Sequence, residues 1–324
     1  MIPNDPDYYL QGVLNRNRRI TAKTMTLMES RLPEHQRTAA RVIQQVLPHS
    51  GKSIRLGITG VPGVGKSTFI ENLGLELASG GHRVAVLAVD PTSKRSGGSI
   101  LGDKTRMEKL SCHENTFIRP SPAGETLGGV AAKTREIMLV CEAAGYDVIM
   151  VETVGVGQSE TSVASMVDFF LVLMLAGAGD ELQGIKKGVL EIADAIAINK
   201  ADGDNLVRVE KTRKDLEIAM HLVSSDYLDW QTPVLTCSSI TEGGTSDVWQ
   251  TVLSHQEKVK QSGEFELKRR KQSLEWMWTM IEEGLWMRFK GDPRVSSKIP
   301  MISKEVEDQT MSPSAAAEAL LSYF

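Results

Sequence analysis

Between Gly57 and Gly74 the chain reads GITGVPGVGKSTFIENLG. Within it Gly60, Val61, Pro62, Gly63, Val64, Gly65, Lys66, Ser67 and Thr68 follow the spacing GxxxxGK[ST]. Glycines remove Cβ atoms where a backbone has to curl around an anion, and N–H groups turned into the curl bind phosphate oxygens. Lys66 follows where an ammonium bridges β- and γ-phosphates, and Ser67 where a hydroxyl ligates Mg2+. A short apolar run precedes the turn and a helical pattern opens after it, so the positive end of a helix dipole faces the same point. The chemistry indicated is the binding of a nucleoside triphosphate with its magnesium.

A base needs a second reader, and INKAD supplies one. A strand ending in Asn199, Lys200 and Asp202 can present one carboxylate to the paired N1–H and N2–H donors of guanine. Adenine offers no such pair, so GTP is expected over ATP. The later run TCSSI brings Ser238, Ser239 and Ile240 to back the base. Three acids stand at candidate strand ends and loops: Asp90 in LAVDPTS, Asp103 in GGSILGDKTRM and Glu152 in VETVGVGQSE. With Ser67 they are enough oxygen donors for Mg2+, and with Lys66 they form the candidate catalytic set around an attacking water. Each acid taken alone reads better as a helix cap or a solvated loop, and it is their placement at strand ends that favours the metal site. The Asp-x-x-Gly usual in GTPases is replaced by Glu152, Thr153, Val154 and Gly155, leaving the Gly155 N–H to sense a γ-phosphate.

Such residues meet only if the intervening chain carries them to one edge. Apolar runs at 53–59, 83–90, 146–153, 169–176, 194–202 and 233–239 lack strict alternation, as expected of strands covered on both faces, and TFIRP near Phe117 is a candidate for one more. Stretches of helical period separate most of them. In the one after the glycine turn, Phe69, Ile70, Leu73 and Leu77 share a face and Gly80 with Gly81 close the end. Alternating strand and helix predict an α/β fold with a doubly wound, mainly parallel sheet. Three regions are expected: a helical N-terminal extension (1–50), a nucleotide-binding domain (51–250) and a helical C-terminal region (251–324). The last holds a long helical stretch, 247–290, with Trp276, Met277, Met280, Ile281, Trp286 and Met287 recurring every three to four residues. That stripe fits packing within the chain and an interface between subunits equally well. Near the end, Ser312 is positioned as an N-cap and Pro313 as the first residue of a short helix.

Composition narrows the function classes. The 324 residues carry 37 Lys+Arg against 41 Asp+Glu, a formal net charge of −4, so no basic field draws in nucleic acid or anionic lipid. Cys112, Cys141 and Cys237 form neither a CxxC nor an even set, and the six histidines are scattered, which argues against disulfides and against a thiolate or histidine metal site. The N-terminal run has acids and prolines before any basic residue and no secretory apolar core, and the longest apolar run, 168–179, is too short for a bilayer. The expected location is cytoplasmic, with no membrane contact.

GVPGVGKST, VDPTS, GGSILGDKTRM, FIRPSP, VETVGVGQSE, GDELQGIKKG and NKAD, in that order, resemble the MeaB/ArgK family of GTPases associated with methylmalonyl-CoA mutase. The resemblance is dense over about 50–245 and follows a general plan in the flanks. It implies a P-loop GTP hydrolase, related to the metallochaperone and signal-recognition GTPases, with a C-terminal dimerisation arm and hence a homodimer. It further implies Mg2+, GTP and GDP as ligands, and as partner an adenosylcobalamin-dependent acyl-CoA mutase, whose cofactor loading such proteins gate and which they protect. No cobalamin site of its own is evident in the chain. GDELQGIKKG matches the family's additional switch, placing Gln183, Lys186 and Lys187 on a glycine-bracketed loop, with a charged helix start as the plain alternative. Three other functions stay open: a small-molecule kinase linked to transport of basic amino acids, a nickel-delivery GTPase, disfavoured by the absence of His- or Cys-rich tracts, and a nucleotide-gated interaction module with negligible hydrolysis of its own.

Overall fold

The computed structural model describes residues 4–30, 32–89, 107–121, 127–153, 159–177, 187–223, 230–241 and 243–324. Its centre is a seven-stranded sheet formed by β1 (Ile54–Gly60), β2 (Val84–Val89), β3 (Thr116–Ser121), β4 (Val148–Thr153), β5 (Phe169–Leu175), β6 (Ala195–Asn199) and β7 (Val234–Thr236). The order is β3-β2-β4-β1-β5-β6-β7, and every neighbouring pair is parallel. Each of the six apolar runs holds a strand, and TFIRP lies in a further one, at the sheet edge beside β2. Because all strands run the same way, the ends of β1, β4, β6 and β7 lie along one edge, where ligands collect in open α/β sheets.

Both faces of the sheet are covered, which is why its strands are apolar throughout. On one face Leu56, Ile58, Val86, Met150 and Leu171 pack with Phe69, Ile70, Leu73 and Leu77 of the helix Lys66–Ser79 (α4) and with Val248 and Val252. On the other, Leu87, Ile149, Val151, Val172 and Ile198 join a cluster reached by three N-terminal helices, α1 (Pro6–Leu14), α2 (Arg18–Glu29) and α3 (Pro33–Val46), through Tyr9, Met25, Leu27, Met28 and Val42. The helix Leu127–Ala143 contributes Ile137, Met138 and Val140 to the same cluster.

At the opposite edge of the sheet charges are buried in pairs. Arg269 grips Asp168 at 2.8 and 2.7 Å, and Arg55 grips Glu142 at 2.9 and 3.0 Å. Glu142 also accepts from the Gly51 N–H at 2.7 Å and the Ser53 hydroxyl at 2.5 Å, and Asp168 from the Arg55 N–H at 2.8 Å. Buried charges persist when every lone pair has such a partner.

The stretch 247–290, expected as continuous, is two helices, Thr245–Gln261 and Glu264–Gly291. Gly263 takes φ +78 between them and its N–H bonds the Lys260 carbonyl, the left-handed stop that glycine permits at a helix end. The chain divides into two compact units, 1–272 and 273–324. The second is helical: beyond Gly291 follow Pro293–Ser296, Ile299–Glu307 and Pro313–Ser322. It buries Val295, Ile302 and Ala316, and stacks Trp286 on Phe289 with Phe324 against the Phe289 edge. Ser312 caps its last helix by accepting from the Ala315 N–H at 3.2 Å, with Pro313 first in the helix, as the sequence predicts. No helix among the described residues is long and apolar enough to cross a membrane.

Candidate functional site

The glycine turn lies at the end of β1 and opens α4 at Lys66. Gly60 has φ +152 and a Cβ there would stand 2.4 Å from the Leu173 carbonyl oxygen; Gly65 has φ +98 and its Cβ would meet Asn199 Nδ2 at 2.7 Å. Both positions therefore exclude side chains by conformation and by space. Lys66 is only 8% exposed, and its Nζ donates to the carbonyls of Gly60 at 2.7 Å and Val61 at 3.2 Å. An ammonium carries three protons, so two brace the turn and one is left for a phosphate oxygen. Burial holds the Lys66 ammonium below the usual lysine range, opposed by the charges of Glu152 and Glu160. A phosphate beside it would restore the preference for the charged form.

Ser67 follows in the first turn of the same helix, and its hydroxyl donates to Glu152 Oε1 at 3.1 Å. Glu152, 9% exposed, stands near the end of β4 in register with Ile58 of β1. Next to it the Thr153 hydroxyl donates to Thr59 Oγ1 at 2.6 Å, pinning the two strand ends. A hydroxyl and a buried carboxylate converging beside a phosphate turn are hard oxygen donors, and they fit Mg2+, which takes a few protein oxygens together with phosphate and water.

The N-K-x-D segment leaves β6 at Asn199, which is fully buried. Its Nδ2 donates to the Val64 carbonyl at 2.8 Å, while its Oδ1 accepts from the Lys200 N–H at 2.8 Å, the Ser239 N–H at 3.1 Å and the Ser239 hydroxyl at 3.0 Å. Lys200, at φ +60, sends Nζ to the Gly63 carbonyl at 3.0 Å. A non-glycine residue in that conformation is held by its surroundings, here by the turn it grips and by Asn205 Nδ2 on its carbonyl at 2.8 Å. Asp202 follows, half-buried, and accepts from the Ser238 hydroxyl. Ser238 Oγ in turn accepts from the N–H groups of Ile240 and Thr241 at 3.3 and 3.1 Å, and Ile240 is 80% exposed. The Cys237 thiol, pushed up to about 12 by burial, lies 3.7 Å from Asn199 Oδ1.

The structure thus brings together Gly60 to Thr68, Glu152, Asn199, Lys200, Asp202 and Ser238 to Ile240 along one sheet edge. Asp90, Asp103, Gly155, Gln183 and Lys186 lie outside the described residues, and Lys187 opens the helix Lys187–Glu191. Among the described residues no group of three His, Cys, Asp or Glu is arranged to hold a metal. Sequence reasoning overlooked Glu160, which is buried and acts electrostatically on Lys66. Its signal in the sequence is the acid that closes the run VETVGVGQSE.

A parallel sheet with a glycine phosphate turn after its central strand, and an N-K-x-D segment bonded to that turn from the same edge, defines a P-loop NTPase of the GTPase kind. The chain belongs to the MeaB family: the family described as methylmalonyl Co-A mutase-associated GTPase MeaB matches residues 21–294. The chain is 50% identical over 325 residues to a putative GTPase of Caulobacter vibrioides, covering 100% of this chain and 99% of that one. It is 51% identical over 262 residues to GTPase ArgK of Escherichia coli, covering 81% and 79% respectively. A solved structure titled LAO/AO transport system kinase superposes with a TM-score of 0.77 at 38% identity, covering 98% of this chain and 97% of the other. The chain is a GTP hydrolase.

Proposed function

We propose that the chain is a GTP-driven chaperone of an adenosylcobalamin-dependent acyl-CoA mutase, gating loading of the cofactor and protecting the mutase. The mutase association of the family supports the partner class. The observation that carries the switch reading is Asn199, whose side chain bonds the phosphate turn through Val64 and the base-backing loop through Ser239. Base recognition and phosphate binding thereby share one buried amide.

In this reading Asp202 pairs with the guanine donors, the N–H groups of Val61 to Thr68 wrap the phosphates, and Lys66 neutralises charge that develops on the transferred phosphoryl group. Ser67 and Glu152, with Asp90 and Asp103, would hold Mg2+; bound there, the ion supplies charge neutralisation at the β- and γ-phosphate oxygens. The same acids orient water, and the Gly155 N–H senses the γ-phosphate. Gln183, Lys186 and Lys187 carry that state to the partner. Two copies pair through the stripe on Glu264–Gly291, where Met277, Met280, Ile281 and Leu285 are 40–52% exposed and line a groove of about 460 Å3 with Trp276.

A ligand shifts a switch only by binding its two states unequally, so GTP and GDP forms must bind the mutase with different affinity, and the mutase must alter nucleotide affinity in return. The test is GTP hydrolysis with and without such a mutase, in the unmodified chain and in Lys186→Ala/Lys187→Ala. Stimulation by the mutase that the double variant loses, with intrinsic hydrolysis nearly intact, is expected. Absence of any stimulation would refute the chaperone reading; equal loss of both rates would move the two lysines into the chemistry.

A further inference from the structure

Asn72 lies on α4, five residues beyond Ser67, and is half-buried between core positions Ile70 and Leu73. Its Nδ2 donates to the Ser239 carbonyl at 2.6 Å, a contact spanning 167 residues of sequence. On the other side Ser239 donates through its N–H and hydroxyl to Asn199 Oδ1. The adjacent Ser238 is fixed as well: its N–H bonds the Gly243 carbonyl at 2.8 Å and its hydroxyl donates to Asp202. The segment meant to frame the base is therefore held from two directions, by the end of β6 and by the helix that begins with the phosphate-binding lysine.

Helix formation does not call for an asparagine there, since asparagine is a poorer helix former than alanine or leucine and competes for backbone hydrogen bonds. Packing does not call for it either, because Phe69, Ile70, Leu73 and Leu77 supply the buried face. What Asn72 does is hold one carbonyl of the base-backing loop. We propose that Asn72 is a specificity-positioning residue: it tethers Ser238–Ser239 to the phosphate-binding helix so that the Ser238 hydroxyl holds Asp202 square to the N1–H and 2-amino donors of a guanine nucleotide. This rests on the guanine reading above and adds to it the residue that sets the angle of recognition. The tether also gives nucleotide phosphate and base a common mechanical reference, since Lys66, Ser67 and Asn72 ride on one helix.

The test compares GDP, IDP, which lacks the 2-amino group, and XDP by calorimetry on the unmodified full chain and on chains carrying Asn72→Ala, Asn72→Gln or Asp202→Asn. Loss of one net hydrogen bond corresponds to about a three- to ten-fold change. Asn72→Ala is expected to weaken GDP by that factor and IDP by less, so that the preference for GDP over IDP narrows. The loss should appear in affinity and in KM for GTP rather than in turnover at saturation, and Asn72→Gln, which keeps an amide donor, should recover part of it. Equal weakening of GDP and IDP would mark Asn72 as a structural or phosphate-side residue and overturn the proposal, as would an unchanged preference. Asp202→Asn separates the two levels: if it fails to turn preference toward xanthosine nucleotides, the guanine reading fails, whereas if it succeeds while Asn72→Ala leaves the GDP preference intact, only the tether fails.

Discussion

Asn199→Ala tests whether one buried amide holds the site together. The side chain is fully buried, and its removal strips partners from the Val64 carbonyl and the Ser239 N–H, both inside the protein. Each orphaned buried polar group costs roughly 1–3 kcal/mol, and the Ser239 hydroxyl can rotate only partly to compensate. The Lys200 N–H is more exposed and can be hydrated, so it adds little. The sum is about 2–6 kcal/mol, a large share of the roughly 5–15 kcal/mol that holds a domain folded. Asn199→Asp is the control: it keeps an acceptor for Ser239 but sets a second acceptor against the Val64 carbonyl. Burial raises the folded pKa of such an aspartate, so its deficit should shrink as pH falls and a protonated oxygen can donate to Val64. Urea unfolding followed by tryptophan fluorescence, between pH 5 and 8, reads both variants. An Asn199→Ala protein within about 1 kcal/mol of the parent would refute the reasoning, as would an Asn199→Asp deficit that does not change with pH.

Lys66→Ala should cost at least about 3 kcal/mol of transition-state stabilisation, a drop of 10²-fold or more in kcat/KM for GTP; undiminished hydrolysis would remove Lys66 from the chemistry. His255, 3% exposed between the Phe169 and Trp230 rings, has its pKa lowered by burial, with Asp194 opposing that shift. Its folded value lies below the ordinary 6.5, so the stability it contributes is present above that pH and is lost as pH falls through the folded value. His255→Gln should accordingly flatten the fall in stability on acidification from about pH 7 to 5, and an identical slope in the two proteins would count against it. Light scattering at micromolar concentration should return the mass of a dimer for the parent and of a monomer for Met280→Glu/Trp286→Glu, whereas a monomeric parent would take the stripe out of any interface between copies.

The strands were legible because a sheet covered on both faces imposes continuous apolar runs, and Leu56, Ile58, Met150 and Leu171 sit inside such runs. The phosphate turn was legible because its chemistry is local: Gly60, Gly65, Lys66 and Ser67 follow one another within eight residues. What the sequence concealed is long-range. That Asn199 bonds Val64, and Lys200 Gly63, depends on β1 and β6 being separated only by β5, and no periodicity records a hydrogen bond across 135 or 137 residues. The break at Gly263 is harder to read for a different reason: a glycine inside a helical pattern can be tolerated, and it is the φ of +78 that shows this one closing a helix. The stripe from Trp276 to Met287 is helical, as its spacing predicts, yet its period alone says nothing about what covers it.

The most direct test of the guanine switch is competitive binding of GTP, ATP and XTP to the parent chain and to Asp202→Asn. Asp202 stands at the same sheet edge as the phosphate turn, held by the Ser238 hydroxyl. A carboxylate matched to the N1–H and N2–H donors should make the parent select GTP and all but ignore ATP, while an amide at the same place should select XTP with the phosphate contacts undisturbed. Equal affinity of the parent for ATP and GTP, or a variant that keeps its preference for GTP, would contradict the assignment.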